Sequence, residues 1–368
     1  SRGGAYRAMG EIAKALEDYS TAIEIDPSRA GPFGNRGRLY EELGNLDMAL
    51  LDYLAAIELD PKNASYRLQA GNIYRTQEDY AAALDAYNVA ISLDPKSASA
   101  YSGRGRIHEF LGSLDRAVSD YTRAIELDPA STASLLNRGN VFLAQDKAQQ
   151  AIEDFTRALE TDQSLTNAYL GRASANQIMG DLDAALADLN HAAEVSPEAS
   201  TVYGLRAQLH EQMGNLEEAL ADAARVIDLD ETSAIAYVNR GNLYTSLAQF
   251  DQAIADYNKA LALDPELDTV YMHRGTASEE AGDLEQALAD FDRLIELQPE
   301  LAAAYSARGR IRQQAGDVDL AIADYSQAIA LDPSLTNAYL GRANLFASLG
   351  QNDKALPDYA KAIELDGA

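Results

Sequence analysis

The 368-residue sequence contains no cysteine. Disulfides, thiolate nucleophiles and zinc–thiolate sites are excluded with it. A cysteine-free chain suits a reducing or an oxidising compartment equally, so the reading stops at a soluble protein of cytoplasm or periplasm. No run approaches the roughly 20 apolar residues that a membrane-spanning helix needs, and insertion into a membrane is not expected. Basic residues are scarce: 30 Lys and Arg stand against 58 Asp and Glu, for a net charge of −28. Such a chain repels nucleic acid unless its cations are segregated into a stripe, and an anionic membrane surface repels it too. The four histidines, His108, His191, His210 and His273, include no pair spaced i, i+4, so no metal site is expected. Strand-like alternation is missing, as is a nucleophile beside a base; neither catalysis nor a cofactor is expected. Gly103-Arg104-Gly105 falls inside a helical pattern rather than between a strand and a helix, which fails the context of a phosphate loop. The chain starts Ser1-Arg2 without a methionine, which reads as a trimmed end from which nothing about targeting follows.

What the sequence has in quantity is a period. Asp-Pro recurs at Asp26-Pro27, Asp60-Pro61, Asp94-Pro95, Asp128-Pro129, Asp264-Pro265 and Asp332-Pro333, always at 34 residues or a multiple of it. Asp162-Gln163, Ser196-Pro197, Asp230-Glu231, Gln298-Pro299 and Asp366-Gly367 fill the other beats without insertion or deletion. A fixed period of this length marks one supersecondary unit stacked many times. The expectation is a single array over 1–368 of eleven units, the first lacking its opening residues.

Aligned on that period, one column is alanine in every unit, from Ala15 and Ala49 to Ala321 and Ala355. Only a methyl group fits where two helices cross closely. A second column, from Gly3 and Gly37 to Gly309 and Ala343, holds only glycine or alanine, and reads as the matching contact on the other helix. A third is mostly glycine (Gly10, Gly44, Gly112, Gly180 and onward) and separates two helical patterns, where a positive φ would end the first helix. Each unit therefore reads as helix A, a glycine turn, helix B and an Asp-Pro break. In the second unit helix A is expected from about residue 31 to 43, and helix B from about 46 to 59. Acids such as Asp47, Asp115, Asp183 and Asp251 open helix B and are expected to cap it. Pro357, inside the last helix B, is expected to kink it.

Phe33, Gly37, Tyr40, Ala49, Tyr53, Ala56 and Pro61 together resemble the tetratricopeptide repeat motif, and the resemblance runs the whole chain. It implies an all-α fold: an α-solenoid, a right-handed superhelix of antiparallel helix pairs, with helix A lining a concave groove. It also implies a protein or peptide partner rather than a substrate. One column departs from the motif, with arginine where the pattern has leucine.

That arginine recurs in ten units, and an aspartate follows each one sixteen residues later: Arg36 with Asp52, Arg138 with Asp154, Arg240 with Asp256. The unit with Ala70 for arginine also has Ala86 for aspartate. A half-buried guanidinium without its carboxylate is costly, and so is the reverse, so the joint loss points to a structural pair joining helices A and B. The rival reading is a row of arginines gripping an anionic ligand.

Helix periodicity places two asparagine columns on the groove side of helix A: Asn35, Asn137 and Asn239, then Asn72, Asn140, Asn242 and Asn344, with Arg38, Arg106 and Arg310 interrupting the second. An amide both donates and accepts, so a row of them can hold the backbone of an extended peptide. The arrangement is similar to the asparagine ladder in the repeat domain of O-GlcNAc transferase. Leu68, Leu136, Leu170, Val238, Met272 and Leu340 are candidates for apolar pockets on the same side, or else pack against the next unit. This strip has no lysine, which argues against a carboxylate clamp of lysines and asparagines. The expected function is a non-catalytic protein–protein interaction scaffold holding an extended peptide in its groove. The alternatives are the partner-recruiting region of a larger enzyme, or a homo-oligomer assembling through uncapped ends.

Overall fold

The structure, a computed structural model, describes residues 2–366. Gly367, in the last beat of the period, lies outside the described residues. Among those residues there are 22 helices and no strand, and the chain divides into two compact units, Ser1–Val195 and Ser196–Ala368. The first unit holds α1 (Arg2–Ala8), α2 (Ile12–Ile25), α3 (Ala30–Glu42), α4 (Leu46–Leu59), α5 (Ala64–Thr76), α6 (Tyr80–Leu93), α7 (Ala98–Phe110), α8 (Leu114–Leu127), α9 (Thr132–Ala144), α10 (Ala148–Thr161), α11 (Thr166–Met179) and α12 (Leu182–Val195). The second holds α13 (Ser200–Gln212), α14 (Leu216–Leu229), α15 (Ala234–Ser246), α16 (Phe250–Leu263), α17 (Asp268–Glu280), α18 (Leu284–Leu297), α19 (Ala302–Ala315), α20 (Val318–Leu331), α21 (Thr336–Ser348) and α22 (Asn352–Asp366). Within each unit an odd-numbered helix packs on the even-numbered helix that follows, and that one on the next odd-numbered helix. Odd-numbered helices also touch one another (α5 with α7, α9 with α11, α15 with α17, α19 with α21) and so form the inner face of each stack. This is the all-α, α-solenoid architecture that the period implies.

Packing follows from residue size. The alanine column is buried throughout, Ala49, Ala117 and Ala253 being fully inaccessible. Opposite it, a Cβ built on Gly37 would lie 3.2 Å from the carbonyl oxygen of Ala49 and from Cε1 of Tyr53. The glycine column thus meets a ring as well as the alanine backbone. Gly71 faces Tyr87, Gly139 faces Phe155 and Gly275 faces Phe291, all at under 3 Å from the missing Cβ. Alanine enters this column as Ala173, where the facing residue is Leu189, as Ala207, where it is Ala223, and in the last pair as Ala343, where it is the half-buried Tyr359. Rings and aliphatics such as Tyr87, Tyr121, Ile107 and Leu135 fill the space between pairs and are at most 1% exposed. Each such side chain contributes about 1.5–3 kcal/mol by leaving water.

The turn inside each pair is left-handed. Eight glycines adopt φ between +70° (Gly112) and +86° (Gly316), and the three remaining turns force Glu78, Asp146 and Ala248 to φ of 61°, 58° and 56°.

The acids expected to cap the even-numbered helices, such as Asp47, Asp115 and Asp251, are not the caps. Asp47 lies inside the first turn of α4, and the cap is Asn45, whose side chain accepts from the Met48 amide at 3.2 Å. Asp79 caps α6 in the same way, and Asp283 caps α18. Asp47 suits the helix dipole. It also accepts from the side chain of Gln77 in the next pair at 2.8 Å. At the other end of these helices the aspartate before proline has a second task. Asp94, Asp162, Asp230 and Asp332 each accept from the amide two residues on, closing an Asx turn. That is why the aspartate persists at Asp162 and Asp230, where proline is lost. α22 continues through Pro357 without a break.

Candidate functional site

In the first unit, Arg36 donates through Nε and Nη2 to the two carboxylate oxygens of Asp52, each at 2.8 Å. The same fork joins Arg2 to Asp18, Arg104 to Asp120, Arg138 to Asp154 and Arg172 to Asp188. In the second unit it joins Arg206 to Asp222, Arg240 to Asp256, Arg274 to Asp290, Arg308 to Asp324 and Arg342 to Asp358. The carboxylates are nearly inaccessible; the Asp154 side chain is 3% exposed and that of Arg138 14%. Hydrogen bonding to the carboxylate holds Arg36, Arg104, Arg172, Arg206, Arg240 and Arg342 above the usual guanidinium range. These donors are spent between helices.

The remaining nitrogen reaches backward. Arg36 Nη1 donates to Ser20, Arg138 to Thr122, Arg172 to Thr156 and Arg342 to Ser326, at 2.8–3.1 Å. Each acceptor stands sixteen residues earlier, on the even-numbered helix of the preceding pair. One guanidinium therefore ties three helices together.

Several asparagines of the odd-numbered helices are occupied as well. Tyr87 donates its hydroxyl to Asn72 at 2.9 Å, Tyr257 to Asn242 at 2.8 Å and Tyr359 to Asn344 at 2.7 Å. Asn72 further donates to Gln69 at 3.1 Å. Elsewhere the hydroxyl goes one turn further along the same helix, from Tyr53 to Glu41 at 2.9 Å and from Tyr121 to Glu109 at 2.6 Å. Burial, then the neighbouring glutamate, pushes both phenols far above their ordinary range.

The exposed candidates are Asn35, Arg38, Arg106, Asn140, Asn239, Arg310 and Asn344, with Asn137 half-buried. Asn35, Asn137, Asn140, Asn239 and Arg106 make no hydrogen bond or ion pair within the protein. Arg310 is held by Glu279 at 2.7 Å. Asn72, Arg75 and Arg106 line one hollow with Ser99, Ser102 and Ser134. Asn239 and Asn242 share another, and Arg310 lies in a third beside Tyr325 and Asn337. Asn35 lies in a fourth with Arg2, Asp18 and Arg29, apart from the other asparagines. Of the apolar candidates, Leu68, Leu136, Val238 and Met272 pack into the clusters between helices, whereas Leu340 is exposed. Among the described residues no three His, Asp or Glu side chains gather as a metal site would need, and no helix is long and apolar enough to cross a membrane.

Sequence models described as tetratricopeptide repeat match residues 32–63, 102–166, 170–234, 234–267, 268–301 and 336–368, and one described as TPR repeat matches 3–44, 71–109 and 309–350. This chain belongs to the tetratricopeptide repeat family. No curated protein matches it. Among solved structures it is similar to a tetratricopeptide repeat protein from Parabacteroides merdae, with 24% identity, 71% of this chain and 99% of that one covered, and a TM-score of 0.49. It is also similar to YrrB, described as a TPR protein with an unusual peptide-binding site, with 24% identity over 52% of this chain and 98% of that one and a TM-score of 0.46. A third likeness is to the Cut9–Hcn1 hetero-tetramer of the APC/C, with 14% identity over 93% and 95% and a TM-score of 0.43.

The three-helix tie of this tetratricopeptide repeat protein was open to sequence reasoning and was missed. The column sixteen residues before each arginine runs Ser20, Asn88, Thr122, Thr156, Asn258, Asp292 and Ser326, polar almost throughout. Its apolar member Leu54 precedes Ala70, the place without an arginine. Ala224, before Arg240, is the other break, and there the fork to Asp256 stands without the backward bond.

Proposed function

We propose that this chain is a non-catalytic protein–protein interaction scaffold of eleven repeats in one array, holding an extended segment of a partner on the odd-helix face of each unit. One observation carries the reading. Polar groups between the helices are consumed by the arginine forks and tyrosine bonds. Asn35, Arg106, Asn140 and Asn239 on the odd-numbered helices are exposed and unengaged. Amides and guanidinium groups suit main-chain carbonyls and carboxylates of an extended segment. Arg38, Arg75 and Arg106 stand on successive odd-numbered helices with no ion-pair partner, in a chain of net charge −28. A ladder of the O-GlcNAc transferase kind would use the free amides, not Asn72, Asn242 and Asn344, whose oxygens hold tyrosines.

The test is selection of displayed random peptides on the protein. The same selection is run on two variants, Arg38/Arg75/Arg106→Ala and Asn137/Asn140/Asn239→Ala. Peptides that bind the parent and lose at least tenfold on one variant support the face. Equal binding to parent and both variants places the site elsewhere and defeats the proposal.

A further inference from the structure

We propose that a hollow between α13, α14 and α15 is a socket for a tyrosine side chain of the bound partner. The proposal deepens the reading of the odd-helix face as the binding face and rests on it. The repeats themselves provide the control. At the position of Ala223 other pairs carry Tyr53, Tyr87, Tyr121, Phe155, Phe291 or Tyr325, and one carries Leu189. Ala223 removes the ring and leaves a hollow of about 130 Å³ floored by Ala207, Ala223, Val226, Ala236 and Leu243. Apolar cavities of about this size admit benzene. A Cβ added to Gly204, at its edge, would meet nothing within 4 Å.

The polar end of the missing ring is also in place. Tyr121 gives its hydroxyl to Glu109, and Tyr87 gives its own to Asn72. The residues at those two positions here are Glu211 and Gln208. Both line the hollow, both are exposed, and neither has a hydrogen-bond partner in the protein. An apolar box with a free carboxylate and a free amide at its open end matches a phenol better than a phenyl or an alkyl group. Asn239 is at the rim, and the residue at the same position after Tyr121 is also asparagine, Asn137. Tyr359 faces Ala343 rather than glycine and still reaches Asn344 at 2.7 Å, so a ring is compatible with an alanine such as Ala207. The hollow opens beside the unengaged Asn239 amide, and for that reason we assign it to a side chain on a segment rather than to a free phenol.

Ligand-observed saturation transfer with the full chain tests this. The probes are N-acetyltyrosine amide, N-acetylphenylalanine amide, N-acetylleucine amide and 4-methylphenol. The tyrosine amide should give a signal several-fold above the phenylalanine amide, and the leucine amide none. The Ala207→Gly/Ala223→Tyr variant rebuilds the ring–glycine pair of most other repeats. It should melt at or above the parent temperature and lose the signal. Glu211→Ala should bring the tyrosine amide down to the phenylalanine level. No signal from the tyrosine amide, an equal signal from the filled variant, or binding of 4-methylphenol without the blocked tyrosine would each overturn the socket. No partner protein enters this test, so its failure leaves the binding face standing. Loss of the face in peptide selection is read separately.

Discussion

Arg138 lies 2.8 Å from the hydroxyl of Thr122, on the helix of the preceding pair, while its fork grips Asp154 at 2.7 Å. The first contact crosses between repeats and the second closes one repeat. Arg138→Ala should cost about 3 kcal/mol, because it leaves the Asp154 carboxylate buried without its cation. Asp154→Ala should cost a similar amount, and the double variant clearly less than the sum. Urea melts of the four proteins measure the coupling. Full additivity would mean that the fork contributes nothing as a pair.

The three turns without glycine are places to gain stability. A non-glycine residue in the left-handed region costs on the order of 1 kcal/mol. Ala248→Gly should therefore raise the free energy of unfolding by about 1 kcal/mol, and Gly180→Ala, at φ 82°, should lower it by a similar amount. Thermal midpoints of both variants check the pair of signs.

Where the ring is fully covered, it leaves no room for a methyl on the facing glycine. A methyl on Gly139 would sit 2.8 Å from the Phe155 ring, so Gly139→Ala should cost about 1–3 kcal/mol by overpacking. Adding Phe155→Leu reproduces the Ala173–Leu189 combination already present in the chain and should recover most of the loss. A double variant no better than Gly139→Ala alone would disprove the size rule.

His273 gives the second unit a dependence on pH. Its Nδ1 is buried without a partner, its ring lies 6.0 Å from that of Tyr257, and burial depresses its pKa. The unfolded chain therefore binds the proton first. The stabilising contribution is complete above about pH 6.5 and is lost as pH falls through the lower folded value. His108 is shifted in the same direction, also by burial. The thermal midpoint should drop between pH 7 and 5, and His273→Asn, the residue of Asn137 and Asn239 in that column, should flatten part of the slope. An unchanged slope would assign it to other groups.

Much of this was legible because the chain repeats its own experiment. The buried alanines follow from a column that never breaks, and the pairing of helices and the left-handed turn at Gly44 from one that is glycine in eight turns of eleven. The joint absence of charge at Ala70 and Ala86 points to the contact that Arg36 and Asp52 make. What a column cannot show is rotation about a helix axis. Asn72 and Asn140 share one, yet Asn72 is taken by Tyr87, whereas Asn140 stands beside Phe155, which has no hydroxyl to give. Asp47 is a similar case, since only two residues separate the cap Asn45 from this first-turn acid. The hollow at Ala223 was visible as one small residue among rings, but its meaning depends on the neighbours Gln208 and Glu211, which lie on another helix.

Leu54, Ala70 and Ala86 put one uncharged joint into the first unit, across α4, α5 and α6. The forks of the flanking pairs, Arg36 with Asp52 and Arg104 with Asp120, have no counterpart there. Ala70 and Ala86 are buried in place of the charged pair. Apolar packing can replace a buried ion pair without loss, so amide exchange should find α5 and α6 opening no sooner than the other helices of that unit, an uncharged splice that holds as firmly as the charged joints around it.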